Sequence, residues 1–160
     1  MNYMNYYPTD VVNGEGTRCV LFVSGCSHGC NSCYNEVAWN PNNGHEFTQE
    51  LEDQIIKDLQ DTRIKRKGIT LSGGDPMHKR NVQQLVQLCH RIKTECPGKD
   101  IWLYTGYTHA QLLEDKNPYR QALLGYVDVL VDGKFEQELY DPGLRFRGSS
   151  NQRIIYLGDA

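Results

Sequence analysis

The sequence predicts an α/β fold, a partial, open β/α barrel built on a mainly parallel sheet. Three observations carry that expectation. Short β-branched or aromatic runs alternate with longer stretches of helical spacing, the pattern of strand–helix units. The strand runs are closed by turn signals such as Ser24-Gly25 and Ser72-Gly73-Gly74-Asp75-Pro76. A length of 160 residues holds four or five such units, too few for a closed barrel of eight, which typically takes about 250 residues. The same length suits one hydrophobic core, so a single domain over 1–160 is expected, with no repeat or composition break to mark a linker.

Taken in order, Arg18-Cys19-Val20-Leu21-Phe22-Val23 is the first predicted strand. Thr48 is a predicted N-cap for a helix with Leu51, Ile55, Ile56 and Leu59 on one side. Ile69-Thr70-Leu71 is the second strand. Asn81 is a predicted cap for the next helix, with Gln84 reaching back and Val82, Leu85, Val86, Cys89 and Ile92 as its buried stripe, before Pro97-Gly98 stops it. Ile101-Trp102-Leu103-Tyr104 is the third strand, Thr108 and Asn117-Pro118 open helices, Val127 to Val131 forms the fourth strand and Arg153 to Tyr156 a fifth.

A formal charge of −3 gives no electrostatic footprint for a nucleic-acid backbone, so no nucleic acid is expected as a partner. The opening residues lack the basic flank and apolar run of a signal peptide, and no window reaches the length of a membrane span. A cytoplasmic protein with no membrane partner is expected. In that compartment the six cysteines are ligands or core residues rather than disulfides.

Cys26-Ser27-His28-Gly29-Cys30-Asn31-Ser32-Cys33 places three thiols within eight residues directly after a strand. Loops leaving the carboxyl ends of strands are where α/β proteins bind ligands, and thiolates suit iron–sulfur clusters or zinc. Three readings stay open on spacing alone: a [4Fe–4S] cluster with one iron lacking a protein ligand, a zinc site completed by His28 or a distant group, and a redox dithiol. The zinc reading lacks the second Cys/His pair of a finger. The dithiol reading leaves the third cysteine unused.

At this loop, assigned to 24–35, the sequence resembles the radical-SAM superfamily, whose signature is Cys-x3-Cys-x2-Cys. Further matches are Asn2-Tyr3, Tyr7-Pro8, Val12-Asn13-Gly14, Cys33-Tyr34-Asn35, Ser72 to Pro76, Trp102 with Thr105-Gly106-Tyr107, Val131 to Phe135 and Arg147 to Gln152. Together they resemble the glycyl-radical activating enzymes of anaerobic ribonucleoside-triphosphate reductases. The resemblance implies a radical-SAM fold and one [4Fe–4S] cluster held by Cys26, Cys30 and Cys33, whose open iron takes S-adenosyl-L-methionine (SAM). It implies reductive cleavage of SAM and formation of a glycyl radical on the reductase, with electrons from a donor such as flavodoxin or ferredoxin. The position before the last cysteine, often aromatic in that superfamily, is Ser32 here, with Tyr34 after it, and both are candidates for cofactor binding. Gly73, Gly74 and Asp75 correspond to the stretch that meets the methionine end of SAM. Lys134 falls in an Asp-x-Lys of the kind found in related activases, where it would pair with a carboxylate.

The remaining candidates have plainer readings. Arg145, Arg147 and Arg153 form a solvated basic segment or a partner contact. His28 is a loop residue near the sulfurs, and Cys19, Cys89 and Cys96 are core thiols. Two other functions compete: a small radical-SAM enzyme acting on a free metabolite, and a non-enzymatic iron–sulfur electron-transfer protein.

Overall fold

A computed structural model describes residues 1–26, 28 and 40–158. Its elements run β1 (Asn2–Asp10), β2 (Arg18–Val23), β3 (His45–Glu46), α1 (Gln49–Gln60), β4 (Gly68–Gly73), α2 (Val82–Glu95), β5 (Asp100–Tyr104), α3 (His109–Glu114), α4 (Pro118–Tyr126), β6 (Val129–Asp132) and β7 (Arg153–Tyr156). The strands form one open sheet of seven, in the order β3-β1-β2-β4-β5-β6-β7.

The α/β class holds, and the sheet is mixed. β2, β4, β5 and β6 are parallel, whereas β1, β3 and β7 pair antiparallel at the flanks. The expectation of a mainly parallel sheet is thus correct for the centre only: β1 and β3 lie outside the strands read from the sequence, and β7, a strand the sequence predicts, returns antiparallel to β6. β1 carries three tyrosines, two asparagines and Pro8, with no alternation of apolar and polar residues. Pro8 is tolerated because β3 covers only the Asn2 and Tyr3 end of β1, and the pairing with β2 shifts register between Tyr7 and Asp10.

Alternation along the central strands divides their side chains between two faces. Cys19, Leu21 and Val23 of β2, Ile69 and Leu71 of β4, Ile101 and Leu103 of β5 and Leu130 of β6 pack with Ile55, Ile56 and Leu59 of α1, Leu85, Leu88, Cys89 and Ile92 of α2 and Leu123 of α4. Each fully buried aliphatic side chain of this kind contributes roughly 1.5–3 kcal/mol relative to exposure. The other phase, Trp102, Val129 and Val131, makes a smaller cluster with Tyr104, Phe146 and Ile154. A cavity opens on this second face.

The helix starts follow the sequence except at α2. Thr48 accepts from the Leu51 amide, Thr108 and Gln111 form a reciprocal capping box, and Asn117 accepts from the Tyr119 and Arg120 amides. Asn81 makes no side-chain cap and sits in helical backbone geometry. Its amide nitrogen instead donates to the Ser24 and Asp75 carbonyls, at 2.8 and 3.0 Å. Among the described residues, no helix is long and apolar enough to cross a membrane.

Candidate functional site

Parallel pairing brings the carboxyl ends of β2, β4, β5 and β6 side by side, and the loops leaving them carry most of the sequence motifs. The segment after β2 begins Ser24-Gly25-Cys26. The Ser24 hydroxyl donates to the Asn43 carbonyl at 2.7 Å. After β4, the Gly74 amide donates to Val23 O at 2.8 Å and the Asp75 amide to Gly25 O at 2.7 Å. Asn81 joins the same two loops from the start of α2. The cysteine segment is therefore tied to the Gly73-Gly74-Asp75 turn by backbone bonds and by a buried side-chain amide.

Besides lining the cavity, Gly73 is closely seated on its own neighbouring strand. Gly73 has φ +109°, and a Cβ there would lie 2.4 Å from both Val23 N and Val23 O. Only glycine lets β4 end in that conformation against β2.

A cavity of ≈ 340 Å³ opens above these loops, within the size range of small-molecule sites. Cys26, Gly73, Gly74, Thr105 and Gly106 line one part; Phe135, Leu144, Phe146 and Arg147 line another. Among the described lining residues Arg147 is the single permanently charged one. Its Nη1 donates to the Gln152 carbonyl at 3.0 Å, while its buried Nε has no hydrogen-bond partner among the described residues. The sequence reading of a solvated segment or partner contact missed this placement. A polar residue between Phe146 and Gly148, beside aromatic and glycine neighbours, was the available signal.

Asp75 stands behind the lining, 1% exposed. Its Oδ1 accepts from the Met77 amide at 2.8 Å, and its Oδ2 accepts from the Thr105 hydroxyl at 3.0 Å, the Gly106 amide at 3.1 Å and His28 Nε2 at 2.5 Å. The carboxylate of the stretch that the resemblance places at the methionine end of SAM thus accepts from four donors of its own chain. Lys134 is exposed and outside the cavity lining, and its carbonyl accepts from the Asn151 amide group at 2.8 Å.

Asp132, its neighbour in the motif, is buried and accepts from the His109 amide at 2.8 Å and from Arg153 Nη2 at 2.7 Å. Burial opposes its ionisation, yet Arg153 and the His109 amide together hold its carboxyl below the usual range. It ties β6 to β7 and to the start of α3.

Of the expected metal ligands, Cys26 lines the cavity. Cys30 and Cys33, with the cofactor candidates Ser32 and Tyr34, lie outside the described residues. Among the described residues no group of three or more His, Cys, Asp or Glu side chains is placed to hold a metal ion. The other thiols behave as core groups. Burial raises the pKa of Cys19 and Cys96 and pushes Cys89 up to about 12, which disfavours the thiolate a metal needs.

Comparison with known proteins bears on the whole chain. Residues 12–155 match the family model described as a 4Fe-4S single cluster domain. An anaerobic ribonucleoside-triphosphate reductase-activating protein of Vibrio cholerae is 64% identical over 154 residues, covering 96% of this chain and 97% of the relative. The protein of that description from Escherichia coli K12 is 57% identical over 98% of this chain and 99% of its own length. The one from Enterobacteria phage T4 is 43% identical over 96% and 93%.

Proposed function

The chain belongs to the family of anaerobic ribonucleoside-triphosphate reductase-activating proteins, and on that footing we propose that it is a radical-SAM activase that generates the glycyl radical of such a reductase. One observation carries the reading: near full-length likeness to named activating proteins coincides with a cavity lined by Cys26 and the Gly73-Gly74 turn.

The donor chemistry fits the implied group. Cys26, Cys30 and Cys33 would hold a [4Fe–4S] cluster, since thiolates are its usual ligands and three of them leave one iron open. When bound, the cluster would supply the electron for reductive cleavage of the C5′–S bond of SAM, which would give methionine and a 5′-deoxyadenosyl radical able to take a hydrogen atom from a glycine of the reductase. The protein's task is orientation and exclusion of water, because a primary radical attacks what lies nearest.

Several residues in and around the cavity have a part in that task. Gly73 and Gly74 present backbone to the methionine end of SAM, and Asp75 holds that turn from behind. Arg147 offers its positive charge to a carboxylate in the cavity. Phe135, Leu144 and Phe146 keep water from the open side. Ser32 and Tyr34 remain candidates for cofactor binding from the cysteine loop, and Lys134, outside the lining, is a candidate to pair with a carboxylate. The reading includes one domain over 1–160, curvature of the open sheet into a partial barrel, a cytoplasmic setting and an electron donor such as flavodoxin or ferredoxin.

The test is anaerobic reconstitution with iron and sulfide, followed by reductant and SAM, with and without the reductase. Formation of 5′-deoxyadenosine and methionine, and a glycyl radical signal on the reductase by electron paramagnetic resonance, are expected. A reducible cluster that never cleaves SAM would leave an electron-transfer protein. Cleavage without a signal on the reductase would point to a free metabolite as substrate.

A further inference from the structure

Between the first two thiols of the cysteine loop stands His28, and its side chain is 6% exposed, unlike that of an ordinary loop histidine. It is enclosed on three sides. Asp75 Oδ2 meets Nε2 at 2.5 Å. The Tyr107 ring meets the imidazole edge to face at 4.6 Å between centroids. Gly106 lies against the third side so closely that a Cβ there would fall 2.4 Å from His28 Cδ2. Gly106 does not need a left-handed backbone; it is glycine because the imidazole occupies the space of its side chain.

The receptacle is braced from the far side. Arg120 of α4 donates from Nε to the Met77 carbonyl at 2.8 Å and from Nη2 to the Tyr107 hydroxyl at 3.2 Å, with its guanidinium 5.0 Å from the centre of the Tyr107 ring. Thr105 donates its hydroxyl to Asp75 and its backbone amide to Val131 O at 3.0 Å. Asp75, Thr105, Gly106 and Tyr107 are thereby fixed to β4, β5, β6 and α4 before His28 is counted. The Thr105-Gly106-Tyr107 motif, two of whose residues also line the cavity, forms this socket together with Asp75.

We infer that His28 is a positioning residue, a latch that seats the start of the cysteine loop in the socket formed by Asp75 and Thr105-Gly106-Tyr107 and so fixes where the thiolate of Cys26 stands relative to the Gly73-Gly74 turn. The inference rests on the proposed cluster. Its physical basis is a buried, directional bond to a carboxylate that is already oriented by three other donors, placed two residues from each of two ligands. Outer groups that orient metal ligands are worth about 10- to 100-fold in metal affinity.

The test compares anaerobically reconstituted wild type, His28→Ala, His28→Gln and Gly106→Ala. The readouts are the rate of iron release to a chelator and the paramagnetic resonance spectrum of the reduced cluster, with urea unfolding of the metal-free proteins as a fold control. Iron release about 10- to 100-fold faster and an altered spectrum are expected for His28→Ala. The amide of glutamine can replace the Nε2 donor, so His28→Gln should return to within about 3-fold of wild type on that scale. Gly106→Ala, which expels the imidazole while leaving it in the sequence, should resemble His28→Ala, and it keeps the test open if His28→Ala does not fold.

The latch is overturned if His28→Ala, or Gly106→Ala in its place, retains iron and spectrum like wild type, or if His28→Gln is as poor as His28→Ala. A wild type that cleaves SAM while the variants match it removes the latch alone. A wild type that takes up no cluster removes the proposed function and the latch with it.

Discussion

Replacing Gly73 by alanine tests the junction on which the cysteine segment is built. The residue ends β4 at φ +109°, and its missing Cβ faces Val23 N and O at 2.4 Å. The left-handed backbone alone costs an alanine roughly 1–2 kcal/mol, and displacing a packed neighbour costs about 1–3 kcal/mol more. The neighbour here is strand backbone, which cannot swing aside like a side chain. A loss of roughly 2–5 kcal/mol lowers the midpoint of thermal unfolding by about 5–20 °C in a chain of this size. Gly98 supplies the control: it also has positive φ, +86°, but a Cβ there meets nothing within 4 Å. Gly98→Ala should therefore show only the backbone cost, about 1–2 kcal/mol. Urea unfolding followed by circular dichroism on both variants separates the two contributions. If Gly73→Ala is no more destabilised than Gly98→Ala, the close seating of the Gly73-Gly74-Asp75 turn on β2 is wrong.

Other consequences are open to direct measurement. Alanine at Cys26, Cys30 or Cys33 should each abolish cluster-dependent SAM cleavage, whereas Cys89→Ala should keep the cluster and cost about 1–2 kcal/mol of stability in urea; a fully active Cys30→Ala would place the ligands elsewhere. Arg147→Met should raise the SAM concentration needed for half-maximal cleavage about tenfold or more, the loss of one charge-assisted bond, while stability falls by no more than about 1–2 kcal/mol for the lost bond to the Gln152 carbonyl; an unchanged half-saturation would remove Arg147 from the binding reading. Because the folded pKa of Asp132 lies below its unfolded value, its contribution is fully present above the ordinary carboxylate range near 4 and is lost as pH falls through the folded pKa. The stability gap between wild type and Asp132→Asn should therefore be constant near neutrality and shrink below about pH 4, and a gap that widens on acidification would contradict the pairing with Arg153.

What the sequence made legible follows from how local each signal is. β2, β4, β5 and β6 are short apolar runs with turn residues at their ends, and the capping residues Thr48, Thr108 and Asn117 act within three positions of themselves. β1 was not legible because its pairing with β2, not its own composition, makes it a strand. Asn81 looked like a cap because its local sequence fits one, but bonds to the Ser24 and Asp75 carbonyls displaced that role. The cysteine spacing is local and marked a thiolate site at once, with the resemblance of the surrounding motifs selecting a cluster over zinc or a dithiol. The seat of His28 is not local: it needs Asp75, Thr105 to Tyr107 and Arg120, which only the order of the parallel strands brings together. For the same reason the sequence could name Asp75 as part of the site without showing that its oxygens are already taken.

The central claim is a [4Fe–4S] cluster held by Cys26, Cys30 and Cys33 with one iron left open for SAM. Its most direct measurement is the paramagnetic resonance spectrum of the reduced, reconstituted protein recorded before and after addition of SAM. A three-thiolate cluster is expected to change its g-values on SAM addition, because the ligand binds the iron itself. A spectrum that stays the same at saturating SAM would mean that no iron is open, and would contradict the account.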